Sequence, residues 1–174
     1  MALNGKSCFD KLEMLGSGTS YTKEIADMLG WADMFRNMPH TDIEAFARYV
    51  QAYTAPVGAE VLVEGDRESY MFVVAEGKLD ILKGVDTVTT EKKKIATVRS
   101  GKTIGEMSLL DGLPHSATAV VVEPATLLLV TKSNFDRLLK ERPEVALRIV
   151  HKMATLMSLR LRQTSGVLID YLKD

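Results

Sequence analysis

A chain of 174 residues, 46% hydrophobic and 26% charged with a formal net charge of −1, has the material for one packed domain. It has no overall field to draw it to nucleic acid or acidic lipid. Its opening residues, MALNGKSCFDKLEMLG, lack the apolar run of a signal peptide, and no run of about 18 apolar residues offers a membrane span. The single cysteine, Cys8, excludes an internal disulfide and fits a reducing compartment, so the cytoplasm is the expected location.

In chain order, residues 1–23 mix Gly, Ser and Lys around GSGTS and read as a flexible arm. From Glu24 to Phe35, the apolar set Ile25, Met28, Leu29, Ala32 and Phe35 has helical spacing. Thr41 and Glu44 form a capping-box pattern ahead of a second helix through Ile43, Phe46, Ala47 and Val50. After Ala52 the texture changes to short β-rich segments: VLVEGD, YMFVVAEG, KLDILKG, KKIATV, ATAVVVE and ATLLLVTK. Cut by Gly, Pro and Asp every 8–12 residues or so, they predict a small antiparallel jelly-roll barrel over residues 24–142 with its flanking helices. Ser133 and Asp136 then suggest a capped short helix through Phe135, Leu138 and Leu139.

Pro143 suits the first position of a final helix filling residues 143–174, a rod of roughly 45 Å. Two apolar stripes run along it. Ala146, Ile149, Met153, Leu156, Val167 and Tyr171 form one; Leu147, Val150, Ala154, Met157, Leu161 and Leu168 form the other. One stripe suffices to cover the barrel mouth, so the second predicts a homodimer through this helix.

Few residues suggest catalysis. His40, His115 and His151 lie apart without metal-ligand spacing. No G-x-S-x-G elbow occurs, and Gly16-Ser17-Gly18 lacks both a preceding strand and the third glycine of a dinucleotide loop. Lys92-Lys93-Lys94 reads as a solvated hairpin face. Neither an enzyme nor a required cofactor is expected.

The stretch GEMSLLDGLPHSAT, residues 105–118, is more specific. A short helix after Gly105 would offer first-turn amides, those of Met107 and Ser108 included, to an anion. Glu106 at its mouth would accept from paired sugar hydroxyls, and Ser116 and the amide of Ala117 would add donors. The same spacing also fits a loop in which Glu106 only caps the turn and Met107, Leu109 and Leu110 plug the barrel.

From about Leu29 to Leu172 the chain resembles a cyclic nucleotide-binding domain of the catabolite activator protein and protein kinase A regulatory-subunit type. The resemblance rests on LGWADMFRNMPHTDIEAFARYV, VGAEVLVEGDRESYMFVVAEGKLDIL and IGEMSLLDGLPHSATAVV, in that order. It implies a jelly-roll fold in which Gly105 and Glu106 meet the cyclic phosphate and the ribose 2′-hydroxyl, and Ser116 helps to bind phosphate. It also implies that Thr164 and Ser165 on the last helix contact the purine. His115 departs from the pattern, standing where the family carries arginine. A mostly neutral imidazole there forgoes a charge-assisted pair, at a cost of about 2–4 kcal/mol. The transcriptional members continue into a helix-turn-helix, for which Asp174 leaves no room, so direct DNA binding is not expected. Two functions compete on these grounds. One is a stand-alone sensor of a cyclic nucleotide, cAMP or cGMP, signalling through its last helix to an unnamed protein partner. The other is a ligand-free dimerisation or docking domain that kept the fold alone.

Overall fold

The computed structural model describes residues 11–85 and 91–171. Cys8 lies outside these residues, as do the side chains of Val167, Leu168 and Tyr171 in the two expected stripes.

Part of the expected loose arm is a strand. β1 (Glu13–Ser17) pairs antiparallel with β2 (Gln51–Ala55), with a register shift between Met14 and Gly16. Gly16 and Ser17 therefore belong to a strand themselves. EMLGS has no β-branched residue, so tertiary pairing rather than local propensity makes it one. The first helix, α1, runs Thr22–Gly30 and stops short of Phe35. Ala32 turns extended at ψ 143°, and Asp33–Phe35 follows as a 3-10 turn. Ile25, Leu29, Ala32 and Phe35 are nevertheless all buried, because the 3-10 turn returns the last of them to the same core. α2 (His40–Ala47) is entered from Pro39 without a side-chain cap, so the Thr41/Glu44 box does not form. Pro39 takes the N-cap position, which leaves Thr41 inside the helix.

The remaining strands are β3 (Glu60–Leu62), β4 (Tyr70–Gly84), β5 (Lys92–Arg99), β6 (Thr103–Ile104) and β7 (Thr118–Thr131). Segments expected as separate strands are two long bent ones: YMFVVAEG with KLDILKG in β4, and ATAVVVE with ATLLLVTK in β7. Their ladder shifts register three times between Val74 and Leu79. Gly77 sits at that bend with φ +94°, where a Cβ would lie 2.4 Å from the Pro124 carbonyl oxygen. The sheet order is β1-β2-β7-β4-β5, with β3 on β7 and β6 on β4. It is the expected antiparallel roll with flanking helices, and it does not close: among the described residues β1 and β5 remain its outer strands.

Both faces of the β4/β7 pair are buried, which is why its sequences are nearly continuous apolar runs. Met71, Val73, Leu128 and Val130 face a helical core with α1, α2 and the C-terminal helices. Tyr70, Phe72, Val74, Leu127 and Leu129 face the interior of the roll with Leu79, Ile104, Ala119 and Val121.

α4 (Lys132–Glu141) is capped by Thr131, whose Oγ1 accepts from the Asn134 amide at 3.3 Å, and not by Ser133. α5 (Pro143–Tyr171) begins at Pro143 as expected. Val145, Ala146, Ile149 and Met153 bury its first half in the helical core. Arg148 pairs with Asp42, and Lys152 Nζ donates to the Arg36 carbonyl at 2.9 Å. Leu147 and Leu161 of the second stripe are 69% and 68% exposed.

Candidate functional site

The ladder between β6 and β4, with Ile104 opposite Phe72, delivers Gly105 against the backbone of Tyr70. Gly105 takes φ +83°, and a Cβ there would stand 2.6 Å from the Tyr70 carbonyl oxygen. Only glycine satisfies both conditions. α3 (Glu106–Asp111) follows at once. Ser108 Oγ donates to the carbonyls of Gly105 at 3.1 Å and Tyr70 at 3.4 Å. Ser108 therefore staples the turn to β4 rather than presenting its hydroxyl to a ligand. Leu109 is in the core, as a plug would be, whereas Met107 is 49% exposed.

Glu106 is only 2% exposed. Its carboxylate pairs with Arg160 of α5. The same guanidinium donates to the Thr103 carbonyl at 2.8 Å and reaches Thr103 Oγ1 at 3.4 Å. Burial pushes the Glu106 carboxyl above its ordinary range, opposed by Arg160, by its own amide and by Thr103. One side chain thus ties the cassette to the long helix.

At the other end, His115 is clipped by its backbone, its amide donating to the Asp66 carbonyl and its carbonyl accepting from the Gly65 amide, both at 2.9 Å. The ring packs edge-on against Tyr70, centroids 4.7 Å apart, and is 4% exposed. Among the described residues its Nε2 has no hydrogen-bond partner. Burial holds the imidazole pKa below the usual histidine value, against the Asp66 carboxylate and the Glu68 carbonyl. The ring is therefore neutral at pH 7. It is no stand-in for arginine.

Ser116 is exposed and its carbonyl accepts from Lys83 Nζ at 2.5 Å, while Ala117 is half-buried. Gly105, Glu106, Met107, Ser108, His115, Ser116 and Ala117 thus share one loop region. Thr164 and Ser165 stand apart on the exposed second half of α5. Their hydroxyls donate to the carbonyls of Arg160 at 3.0 Å and Leu161 at 2.9 Å. Among the described residues no three His, Cys, Asp or Glu side chains cluster as a metal site, and no helix is long and apolar enough to cross a membrane.

Arg160, Thr103 and Lys83 were not singled out from sequence. Arg160 is a cation four residues before Thr164, near the apolar seam, and that spacing was its available signal. Lys83 had a clearer one, as it continues the period-2 row Leu79, Ile81 on β4. Nothing in the sequence distinguishes Thr103.

Residues 54–142, just over half the chain, match the family model of the cyclic nucleotide-binding domain. The chain is 29% identical over 130 residues to the cyclic AMP receptor protein of Thermus thermophilus, across 75% of this chain and 57% of that one. It is 31% identical over 112 residues to the cAMP-dependent protein kinase regulatory subunit of Colletotrichum orbiculare, across 59% of this chain and 29% of that one. It therefore spans little more than half the length of the first relative and less of the second. A crystal structure of a cyclic nucleotide-binding domain from Methylobacillus flagellatus superposes with a TM-score of 0.80 at 26% identity, covering 94% of this chain and 91% of the other.

Proposed function

Because the chain belongs to the cyclic nucleotide-binding domain family, we propose that it is a non-catalytic sensor of a cyclic nucleotide, cAMP or cGMP, that signals through α5. The observation that carries this reading is the buried carboxylate of Glu106, neutralised from α5 by Arg160. A carboxylate held out of water needs donors, and a ribose hydroxyl supplies one. A nucleotide on Glu106 takes over hydrogen bonding that Arg160 otherwise provides. Beyond Met153, α5 has only partly buried or exposed residues among those described, so the contacts of Arg160 with Glu106 and Thr103 weigh heavily in placing it. Ligand occupancy and helix position are thereby linked, and the linkage is reciprocal.

In this reading Gly105, Ser116 and the amide of Ala117 face the phosphodiester. The hydroxyls of Thr164 and Ser165, already donating within the helix, accept from the purine through their lone pairs. The exposed Leu147 and Leu161 suit a second copy of α5, and the assembled dimer would carry the change in helix geometry to a protein partner.

Titration calorimetry with cAMP and cGMP tests this reading. Binding is expected in the wild type, with a rise in melting temperature of about 5–10 °C at one hundred times Kd. No heat and no shift at millimolar nucleotide would end it. A second reading draws on the same ion pair: Arg160 fills the place of the ligand permanently, and the domain serves only for docking. It requires that the wild type bind neither nucleotide, any binding appearing only once Arg160→Ala vacates Glu106.

A further inference from the structure

A phosphodiester needs a cation, and neutral His115 does not provide one. β4 alternates so that Leu79, Ile81 and Lys83 share a face. Leu79 and Ile81 belong to the apolar interior of the roll. Lys83 therefore continues an inward row to the rim. Its pairing with β7 runs Leu79 to Val121, Ile81 to Ala119 and Leu82 to Thr118, so one step further sets Lys83 beside Ala117. The ammonium lies 2.5 Å from the Ser116 carbonyl oxygen and 2.6 Å from Glu64 Oε1. Glu64 Oε2 in turn accepts from the Gly84 amide at 2.9 Å. Across the ladder, Lys83 stands directly opposite Lys93. Like charges in facing positions repel, and a bound anion relieves that repulsion.

We propose that Lys83 is the residue that holds the anionic group of the ligand, the cation having moved from position 115 to the strand that flanks Ser116. Lysine suits such a shift. Its charge is compact and rides a flexible four-carbon stem, so it can swing from Glu64 to a phosphate oxygen beside Ser116 without moving the backbone. Glu64 then acts as the resting partner that keeps the ammonium at the rim. This inference rests on the cyclic-nucleotide reading and names the group that makes the site choose an anion.

The experiment compares cAMP with adenosine and cGMP with guanosine, each pair alike in base and alike in ribose but for the missing phosphodiester. Isothermal titrations are run on the wild type, Lys83→Met, Lys83→Gln and, as a charge control on α4, Lys140→Met. The wild type and Lys140→Met are expected to prefer the cyclic nucleotide. Either Lys83 variant should lose about 10- to 100-fold in affinity for it while nucleoside affinity stays within twofold. Lys83→Arg should keep most of the preference. If both Lys83 variants bind the cyclic nucleotide as the wild type does, Lys83 is not the anion holder, although the nucleotide reading survives. Equal losses for nucleotide and nucleoside make Lys83 a structural residue and also overturn the inference. If the wild type binds neither cyclic nucleotide, the functional reading fails and takes this inference with it.

Discussion

At one end of the candidate pocket Glu106 is buried with a guanidinium against it, and at the other His115 is buried with no hydrogen-bond partner for its Nε2 among the described residues. Burial disfavours the charged form of both, raising the acid and lowering the base. The Glu106 end has a counter-ion because an α5 side chain reaches in to answer it. The His115 end gives its charge up and leaves any cation to Lys83 at the rim. An acidic anchor needs a fixed counter-ion to survive out of water, whereas a ring that can go neutral needs none. Under the proposed sensor function, the regulatory linkage belongs to the Glu106 end.

Glu106→Gln breaks the comparison most sharply. It keeps the shape but removes the charged acceptor, so affinity for either cyclic nucleotide should fall about 100-fold or more in calorimetric titration while the fold persists. Gly105→Ala strikes the same end through the backbone. With φ +83° and a carbonyl 2.6 Å from the new methyl, it should lower stability by about 2–4 kcal/mol, read as a shift of the urea midpoint at unchanged slope. Arg160→Ala leaves Glu106 without its counter-ion. Because the Arg160 side chain is 45% exposed, the loss should be smaller, about 1–2 kcal/mol by the same measurement.

The smallest effect separates the two ends by the sign of a pH slope. A histidine lowered in the folded state binds fewer protons there than in the unfolded chain. The contribution of His115 is therefore present above about pH 6.5 and is lost as pH falls through its folded pKa. A raised Glu106 acts in reverse, and its term declines as pH rises from the ordinary carboxylate range toward its folded pKa. Urea unfolding from pH 4.5 to 7.5 should show His115→Gln removing a positive slope and Glu106→Gln a negative one, each below about 1.4 kcal/mol per pH unit.

Much of this was legible beforehand. The apolar runs of β4 and β7, the short helix after Gly105 and the start at Pro143 follow from patterns that local chemistry dictates. β1 was not legible, because EMLGS becomes a strand only through the free edge of β2. Two expected caps failed for a related reason: Pro39 and Thr131, each two residues upstream, were better placed to start their helices. Within the site, the glycine, the acid and the missing arginine could be read, since each belongs to one contiguous stretch. Arg160 lies 54 residues from Glu106 in the chain, and only the packing of α5 brings them together.

Hydrogen exchange along residues 156–166 of α5, with and without saturating cyclic nucleotide, tests the linkage most directly. The wild type should change its exchange rates there on binding, and Arg160→Ala should bind the nucleotide yet show no change in that segment. An identical response in the two proteins, or none in a wild type shown to be occupied, would contradict the account.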